Sequence, residues 1–283
     1  MSLVKMGDLL CRAQREHYAV GAFNAENMEM VQAIIAAAEE LKAPVIVQTT
    51  PSTISYASTK MYQSMVLAEA QKASVPVVMH LDHGDSYARC IDAIRAGYTS
   101  VMIDGSKLPF EENIALSKKV EEAAAAAGVD VEAELGTVGG KEDGHVVLDA
   151  DAIYTKPAQA KEFAERSGVQ FLVVAIGTAH GFYKGEPKLD FDRLEEIRKV
   201  VDIPLVLHGA SGVPDEMVRR AIGLGICKVN FATELRAAYT AGVRTVLTAG
   251  QVYDPKKYGV AGRENVNALV KEKIAVCGCA GKA

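Results

Sequence analysis

The sequence of 283 residues lacks an excess of positive charge, a dense set of cysteines and a long apolar run, and each absence excludes a class of protein. A formal net charge of −5 argues against a nucleic-acid binder, which usually carries a basic face. Five cysteines, an odd number spread over a long chain, do not form a disulfide framework, so reduced thiols and a cytoplasmic location are expected. Asp8, Arg12 and Arg15 interrupt the first stretch before the apolar segment of a secretory signal can develop. The longest apolar run, FLVVAIG at 171–177, is too short to cross a membrane.

Apolar runs alternate with amphipathic stretches along the whole chain. Most of the runs are continuous rather than alternating in polarity, which is typical of parallel strands buried on both faces. With 49% hydrophobic residues, the chain can also bury a large core. The predicted strands lie at residues 18–23, 44–49, 75–82, 100–105, 129–135, 171–177, 203–209 and 227–232.

The stretches between these runs have helical periodicity. For example, a stripe with the spacing of a helix that packs on a sheet is formed by Val31, Ile34, Ile35, Ala38 and Leu41. Repeated βα units in a chain of this length predict a single (β/α)8 barrel domain over residues 1–283. A doubly wound open sheet is the competing architecture, but no G-x-G-x-x-G motif opens a helix in this sequence.

Polar side chains collect at the predicted carboxyl ends of the strands, where barrel enzymes place their chemistry. Three of the six histidines follow strands three, six and seven, namely His83, His180 and His208. Three imidazoles with an open fourth position are a ligand set of catalytic zinc, so the pattern predicts a metal site. The other polar residues at these strand ends are Asp82, Asp104, Glu134, Asn230 and Thr233.

The end of strand three conflicts with regular alternation. Successive residues of a strand point to opposite faces, so Asp82 and His83 reach one site only if the strand ends there, as Gly84 permits. His80 shares a face with Asp82, and we expect it to have a structural role in the barrel interior.

The connection at residues 136–157 is Gly-rich and about twenty residues long, whereas most βα loops have about 2–6 residues. It is either a disordered insertion or a mobile lid, and glycines around a charged centre favour the lid.

Further glycine-rich segments are HGFYKG at 180–185 and HGASG at 208–212, and NFAT follows at 230–233. Barrels commonly bind phosphate after strands seven and eight, through loop amides and a helix N-terminus. These segments therefore predict a phosphorylated substrate.

Seven motifs resemble, in order and spacing, the class II zinc-dependent ketose-bisphosphate aldolases. They are AFNAEN, HLDHG, VMIDGS, VEAELGTVGGKEDG, GTAHGFYKGEP, LVLHGASGV and KVNFATEL. The resemblance extends from about residue 3 to the C-terminal CGCAGKA, and it is greatest to tagatose-1,6-bisphosphate aldolases, with fructose-1,6-bisphosphate aldolases next. It implies a TIM barrel that reversibly cleaves a ketohexose 1,6-bisphosphate to dihydroxyacetone phosphate and glyceraldehyde 3-phosphate, with zinc stabilising the enediolate.

The resemblance also implies a role for individual residues. His83, His180 and His208 would bind zinc, with Asp104 and Glu134 at an alternate metal position. Asp82 would handle the proton of the C4 hydroxyl, and Glu142 in the lid would exchange the proton at C3. Dihydroxyacetone phosphate would be bound by Gly181, Lys184, Gly209, Ala210, Ser211, Asn230, Phe231, Ala232 and Thr233. Arg263 would reach the substrate of a neighbouring subunit in a homodimer or homotetramer, and a monovalent cation (Na+ or K+) is expected near the phosphate.

Two positions depart from the family pattern. Ala232 stands where fructose-type enzymes often have Asp or Asn, which favours tagatose bisphosphate as the substrate. Lys141 precedes Glu142 where Gln or Glu is more usual, so the charge of the lid differs.

Three other mechanisms or functions compete with zinc-dependent cleavage. A Schiff-base aldolase needs a lysine at the carboxyl end of the barrel, but Lys228 begins strand eight at the opposite end, and Lys184 lies in a loop just after a predicted metal ligand. A barrel metallohydrolase usually has an H-x-H pair on its first strand, and GAFNAEN has none. A non-catalytic barrel subunit should have lost Asp82 or a zinc ligand, and this chain retains them.

Overall fold

The computed structural model describes residues 3–142, 145–147, 153–183 and 185–283. Within these ranges, eight parallel strands close into a barrel in which each strand pairs with the next and the last pairs with the first. The barrel strands are β1 (Val20–Asn24), β2 (Val45–Thr49), β3 (Val77–Gly84), β4 (Ser100–Ile103), β5 (Asp130–Leu135), β8 (Phe171–Val174), β10 (Leu205–Leu207) and β11 (Ile226–Phe231). Each overlaps one predicted strand, so the predicted (β/α)8 barrel is confirmed.

The barrel strands are buried on both faces. Every residue of β1, β2, β4, β8, β10 and β11 is buried. Side chains fill the interior and helices cover the outside, which explains why the strands read as continuous apolar runs.

Helices connect the strands and pack around them. They are α1 (Met6–Glu16), α2 (Met28–Leu41), α3 (Pro51–Ala57), α4 (Thr59–Ala70), α5 (Tyr87–Ala96), α6 (Phe110–Ala127), α7 (Pro157–Ser167), α8 (Phe191–Val200), α9 (Asp215–Gly223), α10 (Thr233–Ala249) and α11 (Pro255–Cys277). In α2 the predicted apolar stripe is buried, except that Leu41 is half-buried against the core. The side chain of Asn27 caps this helix by accepting a hydrogen bond from the backbone N–H of Met30 at 2.9 Å.

The connections after β5 and β8 together form a small second sheet that the sequence pattern does not predict. β6 (Gly139–Glu142) pairs antiparallel with β7 (His145–Val147) and parallel with β9 (Ala179–His180). Gly140 has a φ of +91°, and a Cβ there would lie 2.1 Å from the backbone oxygen of His180, so this pairing requires glycine. The segment predicted as a lid is thus partly a strand that bonds to the strand of His180. Residues 143–144 and 148–152 of this segment lie outside the described residues.

Over the part of the chain that the structure describes, no helix combines the length and the apolarity needed to cross a membrane.

Candidate metal centre and active site

Three imidazoles from three strand ends converge at the carboxyl end of the barrel. His83 lies near the end of β3, His180 in β9 shortly after β8, and His208 directly after β10. One nitrogen from each ring lies within 4.8 Å of the others, and Nδ1 of His208 is 3.1 Å from Nε2 of His83. Zinc–nitrogen bonds of about 2.0–2.1 Å in a tetrahedron place the ligand nitrogens about 3.3–3.4 Å apart. The spacing of the rings therefore fits binding to one ion.

His83 faces the other two rings because the end of β3 is irregular. Its φ is +49°, in the left-handed region, and the pairing of β3 with β4 shifts register between Leu81 and Gly84. A Cβ on Gly84 would lie 2.3 Å from the backbone oxygen of Met102, so only glycine fits at this position. The irregularity brings His83 and Asp82 to the same side, which regular alternation would prevent.

Asp104 orients the ring of His83. Its Oδ2 lies 2.9 Å from Nδ1 of His83, and its Oδ1 accepts hydrogen bonds from the N–H and hydroxyl of Ser106 at 3.0 and 2.6 Å. Burial raises the pKa of Asp104, but the hydrogen bonds from His83 and Ser106 outweigh burial and hold the pKa below its usual range. An ionised Asp104 accepts a hydrogen bond from the protonated Nδ1 of His83, which leaves the lone pair of Nε2 of His83 available for a metal ion.

Glu134 places a buried carboxyl group beside the histidines. Its Oε1 accepts a hydrogen bond from the N–H of Val138 at 3.3 Å, while Oε2 lies 3.8 Å from Nδ1 of His208 and has no hydrogen-bond partner among the described residues. Burial, together with the negative charge of Asp104, raises the pKa of Glu134 to about 8. A divalent cation next to His208 would offset both effects, so the donor set fits zinc. His83, Asp104 and Glu134 also form a group within 4.8 Å, and their use as an alternate metal position stays a prediction.

Asp82 lies beside the histidines and is held by three amide side chains. Its Oδ2 accepts hydrogen bonds from Asn24 at 3.0 Å and Gln48 at 3.1 Å, and its Oδ1 accepts one from Asn230 at 3.0 Å. The carboxylate is 1% exposed, and Oδ1 lies 4.0 Å from Nε2 of His208. Because the amides come from β1, β2 and β11, four strands fix one carboxylate. The sequence pattern predicted no role for Asn24 or Gln48. A glutamine inside the apolar run PVIVQT nevertheless indicates a buried polar side chain that needs a hydrogen-bond partner.

Below the histidines, the barrel interior holds a buried ion pair. Nζ of Lys228 lies 2.8 Å from Oε2 and 3.0 Å from Oε1 of Glu132, and both side chains are 0% exposed. Oε1 of Glu132 also lies 3.0 Å from Nε2 of His208. The expectation that Lys228 lies at the opposite end of the barrel is wrong: it is the third residue of β11, and the Glu132 side chain that it contacts also contacts His208. His80 lies in the same interior, with Nδ1 2.9 Å from the hydroxyl of Ser100, in agreement with the structural role expected for it.

The sequence matches one known family over nearly its whole length. The family described as fructose-bisphosphate aldolase class II matches residues 4–282. The chain belongs to this family. It is 48% identical over 287 residues to a fructose-bisphosphate aldolase of Geobacillus stearothermophilus, with 100% of this chain and 99% of the relative covered. It is therefore an aldolase, a carbon–carbon lyase that acts on ketose bisphosphates.

Solved structures share the same barrel. The crystal structure of the YdjI aldolase from Escherichia coli K12 matches with a TM-score of 0.88 and 38% identity, and 99% of each chain is covered. The fructose-bisphosphate aldolase of Campylobacter jejuni matches with a TM-score of 0.86 over 100% of this chain and 97% of that one. At 22% identity, the latter shows the fold alone.

In this class II aldolase, most residues predicted to bind phosphate lie together at the ends of β10 and β11. Gly209 has a φ of +67°, and a Cβ there would lie 2.8 Å from the backbone of Ala179. The hydroxyl of Ser211 accepts a hydrogen bond from the N–H of Ala232 at 3.4 Å, which links the two strand ends. Thr233 begins α10, and the N-terminus of a 17-residue helix attracts anions.

Apart from Asp82 and the residues predicted to bind metal, four predicted site residues lie outside this group or outside the description. Gly181, with a φ of +91°, directly follows the predicted metal ligand of β9. Lys184 lies outside the described residues, and for Glu142 the structure describes only the backbone, in β6. Arg263 lies on α11, where its Nη1 donates a hydrogen bond to Gln32 of α2 at 2.8 Å. Their roles in binding and proton transfer stay predictions.

A cavity of about 360 Å³ opens from the three histidines toward the ends of β2, β3 and β4. His83, His180 and Glu134 line its inner end, and Ser52, Arg89 and Lys107 are among the residues of its outer part. This volume is within the range of small-molecule sites, about 300–1,000 Å³. The strands whose ends line this cavity, β2 to β5, lie across the barrel from β10 and β11.

Proposed function

We propose that this class II aldolase binds zinc at His83, His180 and His208 and cleaves a ketohexose 1,6-bisphosphate to dihydroxyacetone phosphate and glyceraldehyde 3-phosphate. The convergence of three imidazoles beside a buried carboxylate, at the end of the barrel where chemistry occurs, carries this proposal. When bound, zinc supplies a Lewis acid for the negative charge that develops beside the ketone. A zinc ion at the alternate position of Asp104 and Glu134 is part of the same proposal.

The protein residues direct the protons of the reaction. As the C3–C4 bond breaks, Asp82 takes the proton of the C4 hydroxyl, C4 becomes an aldehyde carbon, and the bonding electron pair stays with C3. Glu142 then returns a proton to C3. The three amide donors on Asp82 keep its carboxylate oriented toward the substrate, which lowers the cost of ordering it during reaction.

Each half of the substrate has its own place in this proposal. The phosphate of the dihydroxyacetone half binds at the Gly209–Ser211 and Asn230–Thr233 segments, together with Gly181 and Lys184. A monovalent cation sits near this phosphate. The aldehyde half extends into the cavity of about 360 Å³ on the other side of the histidines.

Two candidate substrates differ in configuration at one carbon. Ala232, which is buried at the end of β11, favours tagatose 1,6-bisphosphate by resemblance to tagatose-type enzymes. Fructose 1,6-bisphosphate is the second candidate, because the 48% identical relative is named a fructose-bisphosphate aldolase. The proposal also includes a homodimer or homotetramer in which Arg263 reaches the substrate of a neighbouring subunit. A cytoplasmic location is part of it as well, and the five unbridged cysteines are compatible with a reducing compartment.

A coupled assay that detects glyceraldehyde 3-phosphate tests the proposal with both sugars, with and without chelator. We expect activity to be lost in EDTA and restored by zinc, with a higher kcat/KM for the tagatose substrate. Full activity in chelator, with covalent trapping of substrate by borohydride, would instead identify a Schiff-base lysine and overturn the zinc mechanism. A higher kcat/KM for fructose 1,6-bisphosphate would overturn only the choice of sugar.

A further inference from the structure

The ion pair of Glu132 and Lys228 is unusual for the interior of a barrel. Such interiors are mostly filled by layers of branched apolar side chains. Both charged side chains are 0% exposed, and they come from β5 and β11, which are not neighbours in the barrel. Replacing a buried ion pair by apolar residues of similar volume is often neutral or stabilising, so stability alone does not explain this pair.

The contact of Glu132 with His208 determines which ring nitrogen carries the proton. A carboxylate oxygen only accepts hydrogen bonds, and Oε1 of Glu132 lies 3.0 Å from Nε2 of His208. The proton of the neutral ring is therefore on Nε2. The lone pair of Nδ1 then points to the space shared with Nε2 of His83, 3.1 Å away.

Lys228 fixes the carboxylate that makes this contact. Its ammonium lies within 3.0 Å of both oxygens of Glu132, so rotation of the carboxylate would break a charge-assisted hydrogen bond. The competing neighbour is His80, whose Nε2 lies 3.8 Å from Oε2. With Lys228 in place, Oε1 stays directed at His208.

A second metal site is the alternative use of these residues. His80, Asp82 and Glu132 each offer a ligand atom within 4.8 Å of the others. However, Lys228 places a positive charge 2.8 Å from Oε2 of Glu132, where it takes the place of a cation. This cluster is therefore better explained as part of the support of His208.

We propose that Glu132, held by Lys228, is a positioning residue that fixes the orientation and tautomer of His208 so that Nδ1 faces the metal ion. The proposal rests on the proposed zinc site. Asp104 makes an equivalent contact with His83, since its carboxylate lies 2.9 Å from the ring nitrogen that points away from the other histidines. Two of the three proposed ligands thus have a dedicated carboxylate partner.

The first experiment needs no metal ion. Long-range 1H–15N spectra of the chelator-treated protein with 15N-labelled histidine report which nitrogen of each ring is protonated, and the His208 signal is assigned by its absence in His208→Gln. We expect the proton on Nε2 in the wild type. In Glu132→Gln the side-chain amide can donate to Nε2, so the proton should move at least in part to Nδ1. A wild-type ring protonated on Nδ1 would overturn the proposal.

The second experiment measures zinc affinity by competition with a chelator at one fixed pH. Glu132→Gln should weaken zinc binding by about 10–100-fold, the usual effect of losing such a partner, and should change the visible spectrum of the cobalt-substituted protein. Lys228→Met should weaken binding in the same direction. The matched control is Ser100→Ala, which removes a buried partner of His80 in the same interior and should leave zinc affinity within about twofold.

A double variant separates positioning from folding. Glu132→Leu with Lys228→Met removes both charges and should unfold at or above the temperature of either single variant, yet its zinc affinity should stay weak. Restored zinc affinity in the double variant, or a Glu132→Gln protein with wild-type affinity and cobalt spectrum, would overturn the positioning role. A wild type that binds no zinc would refute the proposed function instead, and the tautomer measurement would remain a separate test of the Glu132 contact.

Discussion

Replacing Asp82 with asparagine should slow cleavage by about 10²–10⁴-fold while the proposed metal centre stays intact. The substitution keeps the shape of the side chain but removes the group that takes the C4 hydroxyl proton. Asp82 is not one of the three convergent histidines, and its nearest contact with them is the 4.0 Å approach of Oδ1 to Nε2 of His208. Zinc affinity should therefore change little.

The size of each effect follows from the contacts of Asp82. Loss of an acid or base group typically costs about 10²–10⁴-fold in rate, which is about 3–5 kcal/mol at 1.36 kcal/mol per factor of ten. In the variant, one oxygen can still accept from Asn24 and Gln48, but the new amide group faces the amide donor of Asn230. One unsatisfied buried donor costs about 1–3 kcal/mol of folding free energy, less than the 5–15 kcal/mol that stabilises most proteins. The variant should stay folded, so the loss of rate reports chemistry.

Three measurements on Asp82→Asn separate these effects: kcat in the coupled assay, zinc affinity by chelator competition, and the temperature of thermal unfolding. Asp130→Asn is the matched control, because that half-buried carboxylate accepts a backbone hydrogen bond from Gly7 at 2.7 Å at the opposite end of the barrel. The control should lose some stability but keep its kcat. A near-normal kcat in Asp82→Asn would remove Asp82 from proton transfer, and a parallel loss of zinc would make it part of the metal centre.

Three further predictions concern the same end of the barrel. His208→Ala should lose both zinc and activity, and metal analysis of the purified variant checks this; a variant with full zinc content contradicts it. In the metal-free protein, Glu134 has a raised pKa of about 8 against an ordinary 4.5, so the folded state binds the proton more tightly. Its contribution to stability is thus complete below pH 4.5 and is lost as the pH rises toward 8; urea unfolding should show this slope, and an equal slope in Glu134→Gln would refute the assignment. Gly140→Ala places a Cβ 2.1 Å from the backbone oxygen of His180 and should lower activity by about 10²-fold, whereas Gly223→Ala, with open space around it, should not; equal activities would show that the β6–β9 pairing has no effect on the site.

The barrel and the convergence of the histidines could be predicted because both depend on patterns that the linear sequence preserves. Continuous apolar runs mark strands buried on both faces, and the carboxyl ends of parallel strands meet at one end of a barrel. The polar residues that follow these runs therefore had to lie near one another. Position along the chain was sufficient to predict that His83, His180 and His208 come together.

The supporting residues lie within the strands, where sequence position does not show which neighbour a side chain meets. Glu132 and Lys228 stand 96 residues apart on strands that are not adjacent, so their pairing depends on the closure of the barrel. A charged residue inside VDVEAEL or CKVNFA was a usable signal, since a buried charge requires a partner. Similarly, alternation alone places His83 away from Asp82, and only the φ of +49° and the register shift at Gly84 bring them together.

The polar interior also explains how the barrel can support a charged site without a general loss of stability. The inner layer of the barrel, next to the histidines, holds the buried side chains of Glu132, Lys228, His80 and Asp82. This layer therefore contributes few of the apolar contacts that usually fill a barrel. The apolar core lies instead between the strands and the surrounding helices, where α2 packs its buried stripe and α11 buries residues such as Val270. Because these two layers are separate, changes in the outer core should alter stability with little effect on the histidines. Removing both charges of the Glu132–Lys228 pair in the inner layer should instead weaken metal binding with little loss of stability, and this difference links the pair to the active site.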